Sequence, residues 1–134
     1  MSLLKKIQNY VKDYAEIIAD ILQCDVEIAD EDLVRIAGTG QYSENINELC
    51  KGSVYKNVFE TKKSRILINP KEDELCEKCS YKDTCTETLE MSAPIFYKDK
   101  VIGVIGLICF TEEDKKRLLK NPLNYLDIKL LEYT

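Results

Sequence analysis

The chain has 134 residues, 45% hydrophobic and 32% charged, with a formal net charge of −5. That length and balance suit one soluble globular domain with a single core and exclude a disordered chain. An acidic chain without a strong basic run is a poor match to a nucleic-acid backbone, and no apolar stretch is long enough to span a membrane.

The opening stretch "MSLLKKIQNYVKDYAEIIADIL" carries charges throughout and lacks the apolar core and small-residue cleavage site of a signal peptide, so a cytoplasmic location is expected. Its apolar positions from Leu3 to Leu22 recur at three- and four-residue spacing, which predicts one helix of about six turns. "DVEIAD" alternates Val26 and Ile28 with charged neighbours, as a half-buried strand does, and "VRIAGTG" reads as its hairpin partner across a turn at "EDL".

Ser53 is placed to cap a helix whose buried stripe is Val54, Val58 and Phe59. "RILINP" is a short strand ended by Pro70, and residues 71–87 form a polar excursion rich in cysteine and acid. "EMSAPIFYKDKVIGVIGLICF" gives two strands joined by a tight turn at Lys98-Asp99-Lys100, the second continuously apolar and therefore central. Thr111 caps a helix with acids in its first turn and i,i+4 charge pairs, and Asn121-Pro122 opens a final amphipathic helix.

The order helix, strand, strand, helix, strand, loop, strand, strand, helix specifies an α/β (α+β) domain with an antiparallel sheet. The strand pairs are too close in sequence for parallel crossovers, and the terminal helices are expected to pack together on one face.

The leading helix, "DVEIADEDLVRIAGTG", "KGSVYKNVFETKKSRIL" and above all "MSAPIFYKDKVIGVIGLICFTEEDKKRLL" resemble a GAF domain over the whole chain. More narrowly, the chain is similar to the N-terminal sensory domains of bacterial sigma-54-dependent transcription activators, where a GAF domain precedes a PAS domain or an AAA+ ATPase and a helix-turn-helix. The resemblance implies a single sensory domain over residues 1–134, part of a longer regulator whose output domains lie downstream. It also implies that the chain is not an enzyme.

Six cysteines in a cytoplasmic chain favour metal or redox chemistry over disulfides. The absence of histidine removes every Cys/His and Ser/His arrangement and leaves thiolates and carboxylates as ligands. Cys76 and Cys79 form a C-x-x-C pair and Cys85 follows closely, so three sulfurs can share one metal or cluster. Cys50 is the candidate for the fourth. It lies before a helix start and beside Lys51, which should lower its pKa, and in a GAF fold its segment borders the same cavity as the cysteine loop. Cys24 and Cys109 read as plain core residues.

Four thiolates at this spacing suit a 4Fe–4S cluster, with structural zinc as the alternative and thiol redox as a third possibility. The expected function is detection of redox state, oxygen or a small molecule by a homodimer joined through its terminal helices. Two rival readings stay open. One is a small-molecule GAF module with an apolar cavity near Ile68, Ile95 and Tyr97, whose cysteines are incidental or hold zinc. The other is a thiol-dependent reductase.

Overall fold

A computed structural model of the chain describes residues 2–50, 53–70 and 86–120. The expected leading helix is two helices. Ser2 caps α1 (Leu3–Lys6) by accepting the Lys5 amide at 3.1 Å, and Ile7 breaks the rod at φ −116° and ψ 29° before α2 (Gln8–Leu22). The apolar stripe likewise divides into two faces. Leu4, Val11, Ala15 and Leu22 enter the core, whereas Leu3, Ile7, Tyr10, Tyr14, Ile17 and Ile21 are exposed.

The strands are β1 (Asp25–Asp30), β2 (Arg35–Gly38), β3 (Arg65–Leu67), β4 (Leu89–Tyr97) and β5 (Lys100–Cys109). They form one sheet in the order β2-β1-β5-β4-β3, every pair antiparallel. The continuously apolar β5 is central, as its sequence requires. Its hairpin with β4 turns through Lys98 and Asp99, whose φ values of 51° and 65° make the mirror-image turn that suits strand twist without a glycine.

β1 differs from expectation. It is buried on both faces, because the N-terminal helices cover one side of the sheet and α3 (Val54–Thr61) the other, while β2 and β5 take its edges. Glu27 and Asp30 are each only 5% exposed. Asp30 satisfies itself by accepting the Asp32 and Val34 amides at 2.9 and 3.0 Å, which builds the turn into β2.

One face of the sheet packs against α1, α2 and α4 (Glu112–Lys120), with Val26, Ile28, Met91, Ile105, Leu107 and Leu118 in its core. Thr111 caps α4 through the Asp114 amide at 3.0 Å, and Arg117 pairs with Glu113 and Asp114. The final helix expected after Asn121 lies outside the described residues. The other face packs against α3 (Val54–Thr61) through Val54, Tyr55 and Val58, which meet Ala29, Leu67 and Val104.

Residues 45–50 run along the outer edge of β2. Arg35 and Cys50 donate their amides to the Glu48 and Leu33 carbonyls, and Asn47 donates to the Arg35 carbonyl, each at 2.8 Å. The Asn47 side chain ties this segment to the N-terminal helices, accepting from Lys5 Nζ at 2.5 Å and from Gln8 Nε2 at 2.9 Å.

Candidate functional site

The register of the sheet sets Glu27 of β1, Gly106 of β5 and Ser92 of β4 in one row on the face beneath α3. Glu90 lies on the same face of β4, two residues before Ser92, because side chains alternate along a strand. Tyr55, in the first turn of α3, reaches down to this row. Its hydroxyl fills the space that a Cβ on Gly106 would need, so only glycine lets the ring lie across β5.

Ser92 is 1% exposed and Tyr55 4%, yet neither hydroxyl has a hydrogen-bond partner among the described residues. Burial, then the Glu27 and Glu90 carboxylates, push the Tyr55 phenol well above its ordinary pKa. Buried hydroxyls are nearly always paired, by protein, bound water or a ligand.

A chain of polar contacts leads away from this row. Arg35 Nε donates to Glu27 Oε2 at 2.5 Å, and its Nη1 donates to the Asn45 carbonyl at 3.2 Å. Burial opposes the Arg35 charge, but the Glu27 carboxylate outweighs it and raises the guanidinium pKa. The guanidinium carbon sits 5.8 Å from the centroid of the Tyr42 ring, a cation–π contact. The Tyr42 hydroxyl donates to Glu87 at 2.9 Å, and its ring leans on Phe110. Burial first, then Glu87, keeps Tyr42 a neutral donor.

Cys50 joins the same cluster. Its Sγ donates to Glu27 Oε2 at 3.6 Å, and its side chain packs against the apolar patch under α3. The expected lowered pKa is overturned. Burial and then the Glu27 carboxylate push the thiol up to about 12, with Arg35 working the other way. Ser53 makes no side-chain cap to α3, and Glu27 arrives from a strand distant in sequence.

Cys24 and Cys109 belong to the opposite face, as expected of core residues. Cys109 is buried in the helix-side core and Cys24 packs against it. Burial raises both thiols, to about 12 and about 11. With Asp20, Asp25 and Asp114 they line a surface cleft of about 350 Å³.

Cys76, Cys79 and Cys85 lie outside the described residues. Among the described residues, no group of three cysteine or acidic side chains is arranged to hold a metal ion. Among the described residues, the three positions expected to line an apolar cavity, Ile68, Ile95 and Tyr97, have different surroundings. Ile95 packs into the helix-side core, while Ile68 and Tyr97 are exposed.

The residues that sequence reasoning missed are Glu27, Arg35, Tyr42, Tyr55, Glu90 and Ser92. A signal existed in "LEMSAP", where Glu90 and Ser92 interrupt a strand adjoining the most apolar segment of the chain. Polar residues on a strand buried on both faces call for partners.

A family model described as stage V sporulation protein T C-terminal, transcription factor, matches residues 6–126. The putative uric acid sigma-54-dependent transcriptional regulator UacR of Escherichia coli (strain K12) is 34% identical over 128 residues, covering 94% of this chain and 22% of the relative. The chain thus spans about a fifth of that protein's length. The GAF domain from a phosphoenolpyruvate-protein phosphotransferase of Coxiella burnetii superposes with a TM-score of 0.66 at 13% identity, covering 92% of this chain and 79% of that one. The free methionine-R-sulfoxide reductase of Neisseria meningitidis, solved with its substrate, gives 0.63 at 17% identity, covering 94% and 75%. These two likenesses are of fold, and they bear out the resemblance to GAF domains and the α+β antiparallel architecture.

Proposed function

The chain belongs to the stage V sporulation protein T C-terminal transcription-factor family, and on that premise we propose that it is the small-molecule-sensing domain of a longer transcription regulator. The likeness to a sigma-54-dependent regulator supports AAA+ and DNA-binding domains elsewhere in that longer chain. The observation that carries the reading is the buried polar row under α3, with the Ser92 and Tyr55 hydroxyls unpartnered across Gly106. Cys24, Cys50 and Cys109 are all held protonated, which favours sensing over thiol catalysis by the described residues.

The test is a thermal-shift panel of small metabolites, with uric acid first because the curated relative is named for it. A compound that raises the Tm of the wild type, and raises it less in Ser92→Ala, supports the reading. A panel in which every shift survives that substitution moves the site elsewhere.

Relay to the rest of the regulator runs, in this reading, through the N-terminal helices. Arg35 of the cluster holds Asn45, and Asn47 holds Lys5 and Gln8. Within α2 the exposed residues Tyr10, Tyr14, Ile17 and Ile21 are spaced alternately by four and three, the spacing of a two-stranded coiled-coil seam, and support a homodimer joined there.

A second reading keeps Cys50, Cys76, Cys79 and Cys85 as ligands of a 4Fe–4S cluster, or of zinc. It is favoured by Glu87, two residues beyond Cys85, which is tied by Tyr42 and Arg35 to the surroundings of Cys50. Such a group would supply sensitivity to oxygen or redox state, and the proton on Cys50 would have to leave for it to bind. Anaerobic purification with a visible spectrum and iron, sulfide and zinc analysis tests this. Colour and iron lost in Cys79→Ala would support the cluster, and a metal-free protein would remove the reading.

A further inference from the structure

We infer that Cys24 and Cys109 are a modification site, a cross-strand pair that closes to a disulfide bond when a low-molecular-weight disulfide supplies the oxidant. The inference stands apart from the site under α3 and from the four cysteines weighed as metal ligands. Three observations lead to it.

The first is register. Asp25 of β1 pairs with Ile108 of β5, so the next step of the same antiparallel ladder sets Cys24 opposite Cys109. Val26 gives both its amide and its carbonyl to Thr39, on the β2 side. Its neighbour Asp25 therefore turns to β5, and the step beyond it is a pair that shares no ladder hydrogen bonds. The Cys109 carbonyl agrees, accepting the Thr88 amide on the β4 side. Pairs of this kind bring their Cα atoms to about 4.5 Å, within the roughly 4.4–6.8 Å that a disulfide spans.

The second is facing. Cys109 is 2% exposed in the helix-side core, and Cys24 packs against that core from the same side of the sheet. Both are free thiols. Burial first, and then the neighbouring Cys109, raise the Cys24 thiol, so the two groups lie within each other's reach.

The third is access. Both cysteines line the surface cleft of about 350 Å³, and Cys24 is the more exposed. Cys24 is therefore placed to react first and Cys109 to resolve. The Cys24 thiolate attacks one sulfur of the oxidant, forms a mixed disulfide and expels a small thiolate, which takes up the proton Cys24 has lost. The Cys109 thiolate then attacks the Cys24 sulfur and expels the second small thiolate, which takes up the proton of Cys109. The chain gives up two electrons, and the oxidant leaves as two thiols. Because burial holds both cysteines protonated, the exchange is slow and answers sustained oxidation. Gln23 ends α2 in the left-handed conformation and Cys24 follows it, so the bond would fasten that end of the helix to the central strand.

The test equilibrates the folded 134-residue chain with mixtures of reduced and oxidised glutathione, blocks free thiols by alkylation and maps the tryptic peptides. Trypsin releases Cys24 within residues 13–35 and Cys109 within residues 101–115, each the sole cysteine of its peptide. As the mixture becomes oxidising, the alkylated forms of both peptides should be lost together and a linked pair should replace them, in protein that stays a monomer on non-reducing gels. The thermal midpoint should rise with the bond, and the rise should be absent from Cys24→Ser. Mapping needs only the wild type, so a variant that fails to fold does not leave the question open. Two cysteines alkylated in every mixture, joined to other cysteines, linked only between copies or linked only in urea would overturn the inference. A linked pair that leaves the midpoint unchanged would overturn the hold on α2.

Discussion

The Tyr55 hydroxyl occupies the place of the missing Gly106 side chain, so the first turn of α3 and the middle of β5 are fitted to each other at a single residue. Gly106→Ala should push the phenol off the sheet and destabilise the fold by about 1–3 kcal/mol, the usual cost of overpacking. Adding Tyr55→Phe should restore part of that loss by removing the clashing oxygen. Urea midpoints followed by circular dichroism measure both, and a Gly106→Ala protein as stable as the wild type would mean that Tyr55 does not lie across β5.

Arg35 and Glu27 form a buried pair, with side chains only 14% and 7% exposed. Arg35→Met leaves the Glu27 carboxylate buried without its cation and should cost about 3–5 kcal/mol. Replacing Glu27 by Gln in the same protein removes the stranded charge, so the double variant should be more stable than Arg35→Met alone. Equal stability of the two would show that the pair is solvated.

Much of this architecture is legible in the sequence because it rests on local pattern. The apolar run of β5, the turn at Lys98-Asp99, the Thr111 cap and the α3 stripe each follow from neighbours a few residues apart. The site is not local. Glu27, Arg35, Cys50, Tyr55 and Ser92 are brought together by strand order, and Glu27 looks like an ordinary polar position until β1 is known to be covered by helices on both faces. The same omission misplaced the Cys50 pKa, since Lys51 is adjacent in sequence whereas the governing carboxylate is not. On the helix side, spacing by threes and fours fits a buried face and an exposed apolar face alike, so the sequence alone reads as one stripe.

The thiols give a pH dependence with a definite sign. Cys24 and Cys50 are raised from 9.0 to about 12 in the folded chain, chiefly by burial. The unfolded chain sheds these protons near the lower value while the folded chain retains them. Stability is therefore full below about pH 9 and is lost as pH climbs toward about 12. Urea midpoints at successive pH values should fall across that window, and fall less when Cys24 and Cys50 are both replaced by Ala. An unchanged slope in that variant would mean that neither thiol is shielded.

The exposed helical seam makes a solution prediction. Ile17→Glu places a charge within the exposed Tyr10–Ile21 stripe of α2, on the face away from the core residues Val11 and Ala15. Analytical ultracentrifugation should show a dimer for the wild type and a monomer for this variant, with the thermal midpoint of the monomer fold little changed. A wild type that stays monomeric at high micromolar concentration would remove the seam as an interface.

The strip formed by residues 45–50 has a consequence for how copies of this domain can meet. A sheet ends where backbone donors and acceptors are left free, and such margins invite a neighbouring molecule to add its own strand. Along β2 those positions are taken up by Asn47, Glu48 and Cys50 from the same chain, and at the far side β3 offers only three residues. Growth by strand addition is thereby blocked at one margin and curtailed at the other. If copies pair through the exposed face of α2 as proposed, the sheet margins formed by the described residues leave them little means to polymerise.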